Sequence, residues 1–420
     1  MADKQLSVLL DGREVAVVTQ ANTGRRELKY ASDPSTVPLS LSMPIAQRTH
    51  GYRAIDPYLE GLLPDNSDER VRLGRRFSVS PRNPFALLTH VGLDCAGAVQ
   101  FCDPGRVDEV LGRPGELLPL DEAQIARRLE RLRTNPEDGW TAWGETWSLA
   151  GAQSKFALAR MEGGWAAATG SAPTTHIFKS GVSGFRLQAL NEHICMKAAA
   201  NLGLPAAKTE YWQFGDEPAI VVERYDRQIA SDGAVSRLHQ EDLCQALAVM
   251  PENKYQSDGG PTALDMLTLV GDNAGLDAQA QLLAYFAFNY LIGAPDSHAK
   301  NFSVMLGGIV TLAPLYDVAS SMPYDFNTRS GLNELAVKIS GHNRFGTIRD
   351  EHWAELAGKA GFQPDRAVEI VHHIASTLPD ALSDAVSAPD LPPEKSELAD
   401  RMLPRVAELC AKALGSAAIV

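Results

Sequence analysis

Near the start of the chain apolar residues cluster in two β-prone runs, LSVLL and REVAVVT between Leu6 and Thr19. They flank Asp11-Gly12, a dipeptide that supplies the positive-φ conformations of a two-residue hairpin, so the chain is expected to open in β structure. From Leu39 to Phe101 the pattern is mixed: PLSLSMP, a helical YLEGLLPD segment, and GLDCAGAVQF, whose small residues and terminal aromatic suit a strand entered by a tight turn. Residues 1–115 are read as a first α+β module. DEAQIARRLERLR, Asp121 to Arg133, has helical spacing and a charged face, and NPEDGW after it is a turn cluster that marks a boundary. A second module, 140–226, then holds SLAGAQSKFALAR, TTHIFK, the helical NEHICMKAAANLG closed by Gly203 and Pro205, and the strand-like YWQF and AIVVERYD on either side of GDEP. From Arg227 to the end, Leu and Ala recur at helical spacing in EDLCQALAV, TALDMLTLV, QLLAYFAFNYLI, HWAELAGKA and RAVEIVHHIA. Residues 227–420 are therefore expected to be mainly helical, with SAPDLPPEKSE near residue 390 as a short exposed linker.

Composition narrows the classes. The 420 residues are 45% hydrophobic and 22% charged, the profile of an ordinary soluble globular protein with two or three domains. A net charge of −13 argues against a surface that holds phosphate backbones by counterion release, so a basic partner would supply most of any DNA affinity. The five cysteines, Cys95, Cys102, Cys195, Cys244 and Cys410, form no CxxC pair, which fits a reducing cytoplasm and indicates neither a disulfide framework nor a zinc site. MADKQLSVLLDGREV lacks the features of a signal peptide. The most apolar stretch, Leu282 to Ala294, is interrupted by Asn289 and is shorter than the roughly 18 residues of a membrane span, so it is read as a buried helix.

GAPDSHAKNFSV, Gly293 to Val304, carries the clearest chemistry. It places Asp296 and Asn301 five positions apart in one loop after an apolar helix, the separation of the base Asp and the metal-binding Asn in a protein-kinase catalytic loop. Phosphoryl transfer wants both: an acceptor for the substrate's hydroxyl proton and a neutral oxygen for a Mg²⁺ shell. NFSVMLGGIVTLAP reads as a hairpin through Gly307-Gly308, which would return Asp317 of LAPLYD to Asn301 as the principal Mg²⁺ carboxylate. Taken singly, an Asp after Pro295 starts a turn and an Asn before a strand caps one; the conjunction points to function.

In the second module, strand, loop, strand, helix, strand, strand is the order of a small nucleotide-covering lobe. Lys179 at the end of TTHIFK is the candidate phosphate-holding lysine, and Glu192 on the next helix is its possible partner. VVERYD, Val221 to Asp226, is where an adenine would lie against backbone groups. SLAGAQSK, Ser148 to Lys155, is the candidate phosphate loop, small residues ending in a cation, although it is neither a Walker A sequence nor GxGxxG. His298 is the histidine placed near the expected phosphates; His372-His373 reads as surface, and the absence of HExxH leaves zinc hydrolysis without support.

AGAQSK, PTTHIFK, VERYDR, QEDLCQAL, KYQSDGGP, LIGAPDSHAKNFSV and PLYD, in this order, resemble the HipA family of kinases, the toxin halves of bacterial toxin–antitoxin pairs. PLSLSMP, LLPD and GAVQF resemble that family's N-terminal subdomain. The resemblance implies an α+β, two-lobed protein-kinase-like fold with an added N-terminal β-rich subdomain and a mainly helical C-terminal lobe. It implies ATP and Mg²⁺ as cofactors, with Asp296 the catalytic acceptor and Asn301 and Asp317 the Mg²⁺ ligands. Ala150, Gly151, Ala152, Gln153, Ser154 and Lys155 match the phosphate loop, Lys179 the nucleotide lysine, and Glu223, Arg224 and Tyr225 the hinge. His298, Ala299, Lys300, Asn301, Tyr316 and Asp317 line the ATP site, and Ser148 matches the serine that the family autophosphorylates. Two departures bear on loop flexibility and nucleotide affinity: Ser154 stands where Glu is common, and Pro295 and Ser297 flank Asp296 where Thr and Gly are common.

The implied partners are a dimeric HipB-like antitoxin, operator DNA reached mainly through it, and a protein substrate, an aminoacyl-tRNA synthetase of the glutamyl type. Phosphorylating it would inhibit translation and promote persistence. One rival reading is a catalytically silent subunit that steadies a repressor; it predicts a broken Asp, Asn or Lys, and all are present. A second is a small-molecule kinase, for which the polar residues of KYQSDGGP, Lys254 to Pro261, would line a sugar site instead of a groove for a protein segment.

Overall fold

The computed structural model describes residues 3–33, 36–113, 115–134, 142, 144–324 and 332–415; the NPEDGW turn expected at 135–140 lies outside them. The chain divides into two compact units, Met1–Val182 with Trp212–Glu252 and Met305–Ile309, and Ser183–Tyr211 with Asn253–Val304 and Val310–Val420.

The first unit opens with the expected hairpin. Asp11 (φ 48°) and Gly12 (φ 70°) both take the positive φ of a type I′ turn and join β1 (Lys4–Leu10) to β2 (Arg13–Gln20). With β3 (Arg26–Tyr30), β4 (Thr49–Gly51) and β5 (Gln100–Cys102) these make a five-stranded sheet in the order β4-β3-β2-β1-β5. Its inner face shares one apolar core with helices Tyr52–Gly61 and Pro84–Val91 through Val8, Leu28, Ile55, Tyr58, Leu88 and Phe101. A second sheet contains β6 (Glu116–Leu120), β7 (Phe156–Met161), β8 (Gly164–Thr169) and β9 (His176–Lys179). β7 lies between β8 and β9, and the strand Glu217–Glu223 pairs antiparallel with β9, Ile220 opposite Lys179. Phe156 and Phe178 stack at 5.1 Å in its core, which the helix Glu122–Thr134 covers with Ile125 and Leu129.

A buried ion cluster ties the first sheet's last loop to the segment after Glu223. Asp94 accepts from Arg227 (2.8 Å), Arg224 (3.2 Å) and Arg237 (3.2 Å), and also from the Thr174 backbone and hydroxyl. Asp226 accepts from both Arg224 Nε and Nη2 and from Gly97 N–H. Burial pushes the Asp94 carboxyl up, but the Arg227, Arg224 and Arg237 guanidiniums outweigh it and hold the group well below the usual carboxylate range. Pairing of this kind is what a charge needs if it is to be buried at all.

Glu241 is fully buried, accepts the Leu41 N–H at 2.7 Å, and faces no guanidinium among the described residues; burial raises its carboxyl to about 8. Below about pH 4.5 the group is neutral folded or unfolded and costs nothing. Between there and pH 8 the unfolded chain releases a proton that the folded chain keeps, so stability falls as pH rises through that window. Glu241→Gln is expected to remove this fall, on the order of 5 kcal/mol, so that urea midpoints of the two proteins coincide near pH 4.5 and diverge towards pH 8, with the variant the more stable.

The second unit is mainly helical. Helix Pro364–Ser387 is its hub, packed against helices Gln188–Asn201, Ala263–Ile292, Asp350–Lys359 and Lys395–Ala413. Ala263–Ile292 starts on a reciprocal Thr262–Asp265 cap and is broken at Gly275 (φ 84°, ψ −179°), which is why the sequence reads as two helices, TALDMLTLV and QLLAYFAFNYLI. The latter is buried, its Asn289 donating to the Tyr285 carbonyl. No helix among the described residues is long and apolar enough to cross a membrane. All five cysteines are buried free thiols.

Candidate active site

The buried helix ends at Gly293, whose left-handed φ of 73° sets the exit direction of the chain; a Cβ there would meet Met322 at 2.5 Å. The loop that follows closes in one tight turn over Ala299–Asn301. Asn301 Nδ2 donates to the Asp296 carbonyl, so the two residues that the spacing singled out are tied together. That bond occupies the amide nitrogen, and the carboxamide oxygen is the atom that suits a hard cation. The Asp296 side chain is 61% exposed, and its Oδ1 accepts from the Tyr255 hydroxyl at 2.7 Å with His298 Nε2 at 3.6 Å. His298 is buried with its ring 4.8 Å from that of Tyr255, edge to face. Burial lowers its pKa and Asp296 only partly opposes this, so the imidazole is neutral at pH 7 and the contact is no ion pair.

The hairpin returns as expected. Strands Ser303–Leu306 and Val310–Leu312 run through Gly307-Gly308, and Ala313 N–H donates to the Ser303 carbonyl at 2.8 Å. The Tyr316 hydroxyl donates to the Lys300 carbonyl (2.7 Å) and sits 2.7 Å from Ser303 Oγ. The residue before Asp317 is thus pinned to the residue before Asn301. Asp317 itself takes a left-handed φ of 60°. Beyond it, Asn191 donates to the Ser320 carbonyl and accepts from the Ser320 N–H, while Ser321 N–H donates to the Gly293 carbonyl. The carboxylate is held between two anchors. Among the described residues no three His, Cys, Asp or Glu side chains gather as a metal site; one carboxylate and one carboxamide oxygen, Asp317 and Asn301, are the donor types Mg²⁺ takes alongside water and phosphate.

The residues assigned to nucleotide in the first unit are placed as follows. Segment 148–155 is irregular chain laid against residues 62–66: Asp65 N–H donates to the Gly151 carbonyl, and Lys155 Nζ donates to the Ala150 carbonyl at 2.9 Å. Gly151 (φ 101°) lies so close that a Cβ would stand 2.6 Å from that ammonium. Ser148 is buried, and its hydroxyl donates to the Leu62 carbonyl at 2.7 Å. Lys179 ends β9 and is buried; in the other unit Glu192 is buried on helix Gln188–Asn201. The strand expected through Asp226 stops at Glu223. Arg224, assigned to the hinge, commits its side chain to Asp94 and Asp226, which leaves the backbone of 223–225 for any adenine contact. Tyr225 donates to Gln240 at 3.0 Å. Sequence reasoning took KYQSDGGP as a groove lining and missed the Tyr255–Asp296 bond, since no periodicity relates residues 41 positions apart.

Comparison with known proteins gives the same direction. Residues 147–382 match the HipA-like C-terminal domain and residues 6–102 the HipA N-terminal domain. Y4mE, a candidate kinase of Sinorhizobium fredii, is 36% identical over 402 residues, covering 92% of each chain. The serine/threonine-protein kinase toxin HipA of Shewanella oneidensis is 29% identical, covering 84% of this chain and 82% of that one. A solved Shewanella oneidensis complex of HipA, HipB and operator DNA contains a chain that superposes with a TM-score of 0.84 at 26% identity, over 98% of both. With more than half its length in the family's C-terminal domain, and relatives along nearly all of it named as kinases, the chain belongs to the HipA family of kinases.

Proposed function

We propose that the chain transfers the γ-phosphoryl group of ATP to a serine or threonine of another protein, as a toxin held in check by a HipB-like antitoxin dimer through which it reaches operator DNA. The observation that carries this is the double tie of the Asp296 loop, Asn301 to the Asp296 carbonyl and Tyr316 to the Lys300 carbonyl, which sets an acceptor carboxylate, a carboxamide and a second carboxylate on one short frame. Asp296 takes the substrate hydroxyl proton as the new O–P bond forms, the γ-phosphorus–oxygen bond to ADP breaks, and ADP leaves with that electron pair. Asn301 and Asp317 are the residues to hold Mg²⁺, which when bound neutralises charge on the phosphates. Ala150 to Lys155, Lys179 and the 223–225 backbone are assigned to the nucleotide. The similarity to the Shewanella HipA toxin and to the chain solved in complex with HipB and operator DNA supports the partner reading.

The substrate is assigned to the aminoacyl-tRNA synthetases, and Ser148 to autophosphorylation. Because the Ser148 hydroxyl is buried on Leu62, the segment has to leave its place before a second molecule can modify it. A phosphate there adds about −1.5 to −2 charges beside the loop assigned to ATP, which would expel the nucleotide. Incubation of the purified chain with Mg-ATP and a cell lysate, followed by phosphoproteomics, is expected to mark a synthetase and Ser148. Phosphate found only on a sugar or aminoglycoside would replace this reading with the small-molecule one. Asp317→Asn is expected to weaken Mg-ATP binding at least tenfold by calorimetry, as one anionic ligand of a hard cation is lost; unchanged affinity removes Asp317 from the metal.

A further inference from the structure

We infer that Tyr255 is a positioning residue for phosphoryl transfer, its hydroxyl fixing Oδ1 of Asp296 so that Oδ2 is presented to the substrate. The inference deepens the kinase reading and rests on it. A carboxylate as exposed as that of Asp296 would ordinarily sample its rotamers freely, and each alternative rotamer takes the accepting oxygen out of reach of the substrate hydroxyl. Among the described residues the Tyr255 hydroxyl at 2.7 Å and His298 Nε2 at 3.6 Å both approach the same oxygen of that carboxylate, Oδ1.

The phenol is itself built into place from several sides. Its backbone carbonyl accepts from both Asp258 and Gly260 N–H at 3.0 Å, folding residues 255–260 back on themselves. Gly260 is the residue that this fold requires, for a Cβ there would stand 1.9 Å from the Asn253 carbonyl oxygen. One residue earlier the Lys254 carbonyl accepts from Ala299 N–H, and one residue later Gln256 accepts the Lys338 N–H at 2.7 Å, so the loop is bonded to the catalytic loop on one side and to a strand on the other. Over the ring lies the Lys254 ammonium, 5.5 Å from the centroid, and against it the buried His298 edge at 4.8 Å. A tyrosine that served only to cover surface would need none of this aim. The hydroxyl is what the arrangement delivers.

Tyr255→Phe keeps the ring with its Lys254 and His298 contacts and removes the hydroxyl. Transfer of label from γ-labelled Mg-ATP to the chain itself and to casein is measured for wild type, Tyr255→Phe, Asp296→Asn and the double variant, with Mg-ATP affinity and melting temperature alongside. We expect Tyr255→Phe to lower kcat about tenfold, with KM for ATP, Mg-ATP affinity and melting temperature unchanged, and to lower nothing further in the Asp296→Asn background. A wild-type kcat in Tyr255→Phe beside an impaired Asp296→Asn overturns the positioning role alone. A raised kcat overturns it too, by showing that the phenol competes with the substrate hydroxyl for the carboxylate. A fall matched by lost ATP affinity or a lower melting temperature assigns Tyr255 a structural part instead. No transfer by the wild type, or full transfer by Asp296→Asn, removes the kinase site on which the inference rests.

Discussion

Asp296→Asn is expected to lower phosphoryl transfer by about 10²–10⁴-fold while leaving Mg-ATP binding intact. The amide is isosteric, and the tie that shapes the loop uses the Asp296 main-chain carbonyl, which the substitution leaves alone. What disappears is the anion proposed to take the hydroxyl proton. The loss belongs in kcat and not in KM for ATP, because the assigned nucleotide and metal groups, Lys179, Asn301 and Asp317, are untouched. Steady-state kinetics together with calorimetric ATP titration separate the two. An unchanged turnover removes Asp296 from the chemistry, and a parallel loss of ATP affinity shows that the side chain holds nucleotide instead.

The second large effect lies far from that loop. Asp94→Asn is expected to destabilise the fold by about 3–5 kcal/mol, because it deprives three guanidiniums, Arg224, Arg227 and Arg237, of a shared counter-charge in a buried setting. Arg224 and Arg227 are almost wholly buried, so their charge cannot be returned to water without opening the structure. Asp226 remains as the single carboxylate for two buried cations. Chemical denaturation reads the loss directly. A drop of less than about 1 kcal/mol, the range of an exposed ion pair, would mean that water reaches the cluster. Arg237, which is partly exposed, is the member whose removal should cost least.

The contrast between these two sites shows what a sequence makes legible. The helix, the Asp296–Asn301 loop and the hairpin to Asp317 are neighbours along the chain, so their spacing, their glycines and their apolar run report the local dihedrals directly. Asp11-Gly12 is readable for the same reason. Arg224 meets Asp94 130 positions away, and nothing in VERYDR distinguishes an arginine turned towards nucleotide from one turned into a buried cluster. The burial of Ser148 depends on a carbonyl 86 residues earlier. Glu241 belongs to the family motif QEDLCQAL, yet only the three-dimensional surroundings show a carboxyl with no cationic neighbour among the described residues. The two apolar runs TALDMLTLV and QLLAYFAFNYLI are legible on either side of Gly275, whereas its positive φ of 84°, which breaks the helix between them, is a dihedral that periodicity does not report.

The left-handed backbone at Asp317 has a consequence for descent. Glycine, asparagine and aspartate are the residues that occupy that conformation at little strain, and the codons of the other two lie a single base change from those of aspartate. A lineage can therefore surrender the carboxylate proposed for the metal in one mutational step without disturbing the segment that Tyr316 and Ser320 anchor on either side. An alanine or leucine at the same place would strain the backbone as well as remove the charge. Inactive descendants of this fold should accordingly carry Asn or Gly at this position far more often than any other residue, folded and still able to bind whatever the active ancestor bound, with the genetic code and the backbone together deciding which silent forms evolution can reach first.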